Sequence, residues 1–145
     1  MTEIICDASV VLKWFKDSGE SEVVEARSLL AAHRDGKVTV AVLDLTYYEI
    51  GNVLVRALGH TAEQATAVLN ALRMICTTIP PGAADLNRAA ELAETHNLSF
   101  YDAMYAAIAI NRASRLATAD RALLKAEFGE TPTDLVSELG LTGAI

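Results

Sequence analysis

The chain has 145 residues, of which 52% are hydrophobic and 21% are charged, and its formal net charge is -7. This length suits one domain that buries roughly 70% of its unfolded surface, and the apolar content excludes a largely disordered protein. The negative charge disfavours a generic surface for nucleic acids, because such a surface needs clustered lysine or arginine. We therefore expect one domain over residues 1–145 without linkers.

The composition also disfavours membrane insertion and a zinc site. The longest apolar run, AMYAAIAI, is far below the roughly 18 residues of a membrane span, and the N-terminus lacks the pattern of a signal peptide. We therefore expect a cytoplasmic protein with no membrane association. Cys6 and Cys76 have no metal-binding spacing and are expected to be reduced core thiols. Three histidines stand alone in polar or turn-like surroundings, so we expect surface positions rather than zinc or catalytic roles for them: His33, His60 and His96.

The first half of the chain alternates between short apolar segments and helical patterns. EIIC predicts a strand, and DASVVLKWF continues with helical spacing in which Trp14 is expected to pack between helices. SEVVEARSLLAAHRDG predicts a second helix and KVTVAVL a second strand. In the helix predicted for DLTYYEIGNVLVRALG, the capping-box spacing of Thr46 and Glu49 places Glu49 in the first turn.

The second half repeats the alternation. TAEQATAVLNALR predicts a helix, MICTTI a strand, and PPGAADLNRAAELAETHN another helix after a Pro-Pro-Gly break. The helix of NLSFYDAMYAAIAI follows, then a strand at SRLAT and a short helix at DRALLKAEFG. TDLVSEL is interpreted as an edge strand. This order predicts a three-layer α/β/α sandwich with a central parallel sheet of four to five strands.

Three acidic residues occupy equivalent places in this alternation. Asp7, Glu49 and Asp120 each follow a predicted strand, at or within the next helix, so they are expected at the edge of the sheet where ligands bind. Asp102 opens a helix that leads back into a strand, and alternation alone does not settle its edge. Because Ser99 and Asp102 also have the spacing of a helix cap, a purely structural role is the simpler interpretation of Asp102 taken alone.

If the four carboxylates converge, their mutual repulsion favours a bound cation. Oxygen-only ligands suit Mg²⁺ or Mn²⁺, and Mg²⁺ commonly completes its shell with water and phosphate oxygens. Hydrolysis of a nucleic-acid backbone is then the leading class of reaction. The candidates for positioning phosphate are five cations, although a solvated helix face is the simpler role for each: Lys13, Lys16, Arg56, Arg121 and Lys125.

Four blocks of the sequence resemble PIN-domain ribonucleases, particularly the VapC-type toxins of bacterial and archaeal toxin–antitoxin pairs. They are IICDASVVLKWF, DLTYYEIGNVLVRAL, LSFYDAMYAAIAI and RLATADRALLKA, and they span nearly the whole chain in the family's order. The resemblance implies a metal-dependent endoribonuclease that hydrolyses RNA with Mg²⁺ or Mn²⁺. It also implies a small VapB-like antitoxin whose C-terminal segment occupies or covers the acidic groove.

The resemblance assigns catalytic, metal-binding roles to Asp7, Glu49, Asp102 and Asp120. For Asp120 it implies either an indirect action on the metal or a second cation. Three polar residues are candidates for supporting these acids, although helix capping explains Ser9 and Thr118 equally well, and a surface position explains Asn52 equally well. Core packing is the simpler interpretation of the tyrosines, rather than stacking on bases: Tyr47, Tyr48, Tyr101 and Tyr105.

Two other classes of function compete with a nuclease. A catalytically weak PIN-like module would bind RNA or a protein without metal-dependent cleavage. A phosphatase or phospho-acceptor domain would use Asp7 as a nucleophile, but no partnering lysine follows a later strand. A homodimer is expected from the resemblance and from apolar residues in excess of one helix face, although core packing alone also explains them: Val53, Leu54, Leu58, Val68, Leu69 and Leu72.

Overall fold

The computed structural model describes residues 1–141, and within this range it contains four strands and eight α-helices. The strands are β1 (Glu3–Cys6), β2 (Thr39–Leu43), β3 (Thr77–Ile79) and β4 (Arg115–Ala117). The helices are α1 (Ala8–Phe15), α2 (Val23–Arg34), α3 (Asp44–Asn52), α4 (Ala62–Ile75), α5 (Ala83–His96), α6 (Phe100–Arg112), α7 (Arg121–Lys125) and α8 (Pro132–Leu139). A π-helical turn, Val53–Ala57, extends α3.

The strands form one parallel sheet in the order β3-β2-β1-β4. Ile5 in the central strand β1 pairs with Ala41 on one side and with Leu116 on the other. Because every crossover returns the chain to the same end, all four strands finish at one edge of the sheet. The predicted parallel sheet and its four expected strands are confirmed.

The alternation of strand side chains separates two apolar cores, one on each face of the sheet. Ile4 and Cys6 face a core formed with α1, α2, α4 and α8, whereas Ile5 faces a core built around α6. Trp14 is buried in the first core, and its indole N–H donates to the Ala26 carbonyl at 2.9 Å, which confirms the expected helix–helix packing. The three-layer prediction is therefore confirmed.

The predicted edge strand TDLVSEL is wrong, because this segment is helix α8. Pro132 occupies the first turn, and the Thr131 hydroxyl accepts the Asp134 N–H at 3.1 Å. Leu135 and Val136 are buried in the first core, where α8 packs against α2. The segment beside β4 is instead Glu130, which forms an isolated parallel bridge with Ala117.

Helix α3 begins earlier than the capping-box pattern predicts. It starts at Asp44, directly after β2, and the Thr46 hydroxyl accepts the Leu43 N–H at 3.1 Å. Thr46 therefore occupies the third position of the helix and does not cap it from outside. Glu49 consequently lies in the second turn of α3, and its predicted place in the first turn is wrong.

Two of the predicted phosphate-positioning cations are engaged elsewhere. Lys13 is 3% exposed, and its ammonium donates to Ser21 O at 2.7 Å and to Glu20 Oε1 at 3.1 Å. Lys16 lies 3.7 Å from the other oxygen of Glu20. Both lysines therefore stabilise the segment between α1 and α2 through their contacts with Glu20 and Ser21. Arg56, Arg121 and Lys125 are exposed.

The structure accounts for much of the apolar stripe that favoured a dimer. Leu54 and Leu72 are buried within the first core, and Val68 and Leu69 pack against it. Leu58 remains 37% exposed. The homodimer stays a prediction.

Cys6 and Cys76 are both buried and free, in agreement with the sequence interpretation, although Cys76 lies just before β3 rather than within it. His33 is half-buried and accepts the Val40 N–H at 2.9 Å, so it is more than a surface residue. Within residues 1–141, no helix combines the length and apolar character needed to cross a membrane.

The helical assignment of α8 can be tested at its N-cap. Thr131→Ala should lower the free energy of unfolding by about 1 kcal/mol, because the Asp134 N–H loses its acceptor. Ser137→Ala, at an exposed position inside the helix, is the control and should change stability by less than about 0.5 kcal/mol. Urea denaturation measures both, and equal effects would argue against the cap.

Candidate active site

Asp7 connects β1 to α1 and is the most deeply buried acid of the predicted set. Its side chain is 4% exposed. Its Oδ1 accepts the Ser9 hydroxyl at 2.5 Å and the Val10 N–H at 3.3 Å, and its Oδ2 accepts the Thr118 hydroxyl. Burial raises the pKa of Asp7 to about 6; the donated hydrogen bonds oppose this rise and repulsion from Glu49 adds to it.

The same two hydroxyls hold the loop that carries Asp120. Ser9 Oγ accepts the Ala119 N–H at 2.9 Å, and Thr118 Oγ1 accepts the Asp120 N–H at 2.9 Å. Asp120 then caps α7, because its Oδ1 accepts the N–H groups of Ala122 and Leu123. Ser9 and Thr118 therefore link Asp7 to the Asp120 loop through four hydrogen bonds, and their part in a metal site stays a prediction.

Glu49 of α3 is held by Tyr105, a residue of α6. The Tyr105 hydroxyl donates to Glu49 Oε1 at 2.7 Å and lies 2.8 Å from Thr46 Oγ1. Partial burial raises the pKa of Glu49, the bond from Tyr105 lowers it, and repulsion from Asp102 and Asp120 raises it further. Neither Thr46 nor Tyr105 was singled out by sequence reasoning as a site residue.

The direction of α6 decides where Asp102 lies. Arg112, at the end of α6, forms two hydrogen bonds of 2.9 and 2.8 Å to Glu3, the first residue of β1. Since the end of α6 meets the start of β1, the beginning of α6 lies toward the end of β1. Asp102 is therefore at the same edge as Asp7, which alternation alone left open.

Asp102 also takes part in the start of its helix. The Ser99 hydroxyl accepts the Asp102 N–H at 3.1 Å and caps α6. Desolvation raises the pKa of the Asp102 carboxyl, Asp120 raises it further by repulsion, and Ser99 lowers it. The backbone of Asp102 thus serves the cap, while its carboxyl group interacts electrostatically with Asp120.

The four predicted acids repel one another as a connected set. Repulsion that raises a pKa links Asp7 with Glu49, Glu49 with both Asp102 and Asp120, and Asp102 with Asp120. Such a set binds protons or cations more readily than separate carboxylates do. We refer to these residues as the acidic cluster: Asp7, Glu49, Asp102 and Asp120.

The donor chemistry of the acidic cluster fits a hydrated hard cation. Carboxylate oxygens suit Mg²⁺ or Mn²⁺, and Asp7 keeps its Ser9 and Thr118 contacts as an outer layer. Among residues 1–141, no three Asp, Glu, His or Cys side chains form a ready-made cage for an ion. Mg²⁺ retains several waters and needs only one or two direct carboxylates, so an open cluster meets its requirements.

An open groove of about 600 Å³ adjoins the acidic cluster. Ser9, Glu49 and Asn52 lie on its polar side, so the structure places Asn52 at the site, where it is exposed. Tyr48 and Tyr101 also line the groove and are 71% and 61% exposed, so core packing is the wrong interpretation for these two. Tyr105 is a core residue, and Tyr47 is half-buried.

The four sequence blocks and the fold agree with one family model. The PIN domain model matches residues 4–129, which include all four acids of the cluster. The chain belongs to the PIN domain family. The resemblance inferred from the sequence is thereby confirmed. No curated protein matches the sequence significantly.

Solved structures share the PIN fold of this chain over most of their length. PAE2754 from Pyrobaculum aerophilum is 25% identical, with a TM-score of 0.71, over 96% of this chain and 90% of that protein. The sarcin–ricin loop cleaving toxin VapC20 from Mycobacterium tuberculosis is 22% identical, with a TM-score of 0.70, over 88% and 98%. A toxin–antitoxin complex from Klebsiella pneumoniae is 19% identical, with a TM-score of 0.67, over 89% and 97%.

Gly129 is a supporting residue of this PIN domain that sequence reasoning missed. A Cβ at this position would lie 2.5 Å from the Thr118 methyl group and 3.3 Å from Leu116 O. The Thr118 N–H donates to Glu130 O and the Glu130 N–H donates to Leu116 O, so this segment lies directly against the end of β4. The absence of a side chain at Gly129 leaves room for the methyl group of Thr118, the residue whose hydroxyl donates to Asp7.

The raised pKa of Asp7 predicts how the metal-free PIN domain responds to pH. The folded state binds this proton more tightly than the unfolded state, so the free energy of unfolding should fall as pH rises from about 4 to above about 6. The change from the ordinary 3.8 to about 6 corresponds to about 3 kcal/mol. Glu49 and Asp102 act in the same direction.

Asp7→Asn removes the ionisable group and should flatten most of this fall. Urea denaturation with EDTA, repeated between about pH 4 and pH 7.5, measures the effect in both proteins. If the free energies of unfolding of wild type and Asp7→Asn change in parallel with pH, the ionisation of Asp7 does not cause the fall.

Gly129→Ala should destabilise the PIN domain by about 1 to 3 kcal/mol, because the added methyl group meets the Thr118 methyl group. In a Thr118→Ser background, which keeps the hydroxyl and removes that methyl, the same substitution should cost clearly less. Denaturation of the four proteins in this cycle provides the comparison. An equal cost in both backgrounds would rule out the contact with Thr118 as its cause.

Proposed function

We propose that this protein is a metal-dependent endoribonuclease acting in the cytoplasm as the toxin of a toxin–antitoxin pair. The convergence of four repelling carboxylates at one edge of a PIN fold is the observation that carries this proposal. A purely structural role does not explain it, because gathering like charges destabilises the fold, and their repulsion raises the pKa values of Asp7, Glu49 and Asp102. The RNA-cleaving VapC20, which shares the fold, supports the same chemistry.

We propose that Asp7, Glu49, Asp102 and Asp120 hold Mg²⁺ or Mn²⁺ with its bound waters, Asp120 acting directly or through a second cation. When bound, the ion supplies positive charge and activates water for attack on a phosphodiester. Ser9 and Thr118 keep the Asp7 carboxylate in one orientation through their hydroxyl groups. Asn52, on the exposed side of the groove, is available to bond a sugar or phosphate oxygen of the RNA.

The groove beside the acidic cluster supports a protein partner as well as RNA. Tyr48 and Tyr101 expose their rings there, and the apolar side chains of Leu12, Leu45 and Val53 line the same groove. A short peptide with apolar side chains and a cation would satisfy both the apolar walls and the acidic cluster. We therefore propose that a VapB-like antitoxin covers this groove, as an inhibitor of cleavage.

Asp102→Asn separates the metal site from the helix cap. The substitution keeps the Ser99 cap, which bonds the backbone of Asp102, and removes one negative charge from the cluster. RNA cleavage should fall by at least about a hundredfold, or roughly 2.7 kcal/mol of transition-state stabilisation. The metal-free variant should be as stable as wild type or more stable, and the rise in melting temperature with Mn²⁺ should shrink.

Asp134→Asn is a matched control, because Asp134 has the same place in α8 that Asp102 has in α6. Its N–H also donates to an N-cap hydroxyl at 3.1 Å. This control should retain cleavage and the full Mn²⁺ response. If Asp102→Asn behaves as Asp134→Asn does, Asp102 is only a helix residue. If the wild type binds RNA and shows no cleavage with Mn²⁺, the alternative of a catalytically weak binding module gains support.

A further inference from the structure

The orientation of Glu49 depends on a phenol from the opposite helix layer. Glu49 is half-buried in the second turn of α3, and its Oε1 accepts the Tyr105 hydroxyl at 2.7 Å. Tyr105 is 1% exposed and belongs to the core around α6. Glu49 is 56 residues away in sequence, so the bond joins two separate elements of the fold.

The hydrogen bonds at this point run in one direction. The Leu43 N–H, at the end of β2, donates to Thr46 Oγ1 at 3.1 Å, and Thr46 Oγ1 lies 2.8 Å from the Tyr105 oxygen. Tyr105 has one hydroxyl proton, which goes to Glu49. Thr46 must therefore donate to Tyr105. The chain begins at a fixed backbone group and ends on the carboxylate.

Packing does not explain the Tyr105 hydroxyl. The ring fills an apolar core, and phenylalanine would supply nearly the same volume. A buried hydroxyl is costly unless it is hydrogen-bonded, and here both of its neighbours are polar groups. Thr46 is also fully buried, so the two hydroxyls and Glu49 form one dependent set.

We propose that Tyr105, anchored by Thr46, is the positioning residue for Glu49, holding this carboxylate in the orientation in which it binds the cation. This inference rests on the proposed metal-dependent function. A free glutamate side chain has three rotatable bonds and loses that freedom on binding an ion. The bond from Tyr105 fixes the side chain in advance, in the way that outer-layer partners orient metal ligands elsewhere.

The test is Tyr105→Phe in the full chain, with Mn²⁺ binding measured by titration calorimetry in the absence of RNA and cleavage measured separately. The dissociation constant for Mn²⁺ should rise by about 10- to 100-fold, as it does when such a partner is removed. Loss of a hydroxyl that served stability alone would lower the melting temperature of the metal-free protein and leave Mn²⁺ affinity unchanged.

Tyr47→Phe is the matched control. The Tyr47 hydroxyl also forms one hydrogen bond, of 2.7 Å to Thr78 Oγ1, on the side of α3 that faces β3. It should leave the Mn²⁺ dissociation constant within about twofold of wild type. At the anchor, Thr46→Val should weaken Mn²⁺ binding while Thr46→Ser, which keeps the hydroxyl, should retain it. In a Glu49→Gln background, Tyr105→Phe should cause no further loss.

The outcomes separate the two claims. If wild type binds Mn²⁺ and cleaves RNA while Tyr105→Phe equals it in Mn²⁺ affinity, the positioning inference is overturned and the proposed function stands. If wild type neither binds Mn²⁺ nor cleaves RNA, both are overturned. If Tyr105→Phe does not fold, the comparison of Thr46→Val with Thr46→Ser tests the positioning inference instead. Equal Mn²⁺ affinities of these two variants overturn it.

Discussion

The buried carboxylate of Asp7 constrains the rest of the site. At 4% exposure, a charge there is costly, and the groups bonded to it are donors from Ser9, Val10 and Thr118. Ser9 and Thr118 then use their oxygen atoms to accept N–H groups of the loop before α7. The need to satisfy one carboxylate therefore joins the end of β1, the start of α1 and the loop that carries Asp120.

A second network places the other two acids. Asp102 and Tyr105 are three residues apart on α6, so they lie on the same side of that helix. Tyr105 reaches across to Glu49, while the Asp102 carboxyl adds to the repulsion at Glu49. The cluster is thus assembled from two pairs that have separate hydrogen-bonded supports and share one electrostatic cost. Without a cation, this repulsion lowers the stability of the folded protein. A cation bound at the cluster would restore that stability.

The sequence predicted those features that follow from local pattern. Alternating strands and helices predicted the parallel sheet, and the position of Asp7 directly after EIIC predicted its place at the sheet edge. TDLVSEL failed because seven residues are too few to separate the two periodicities, although Thr131 and Pro132 just before it are helix-start signals. The predicted start of α3 was also wrong. The helix follows β2 directly, with no loop between them to mark its first residue.

Contacts between distant segments account for what sequence reasoning missed. Nothing local to YDAMYAA indicates that Tyr105 bonds Glu49, and nothing local to EFGE indicates that Gly129 lies against Thr118. The sequence favoured a solvated position for Lys13. In the structure, the following segment turns back, and Lys13 donates to Glu20 and Ser21. In each case the partner comes from another element, so its identity depends on the packed fold rather than on spacing.

The net charge of -7 determines which positive groups are available beside the acidic cluster. Lys13 and Lys16 both contact residues of the segment between α1 and α2, and Glu20 offsets their charges there. Arg121 and Lys125 remain exposed on α7, immediately after Asp120. Among the described residues, no lysine or arginine lines the groove, so in the proposed function a metal ion at the carboxylates would be the main positive charge available to the substrate. In the proposed function, the acidity that disfavours a general nucleic-acid surface would therefore make binding of the scissile phosphate depend on a cation at the acidic cluster.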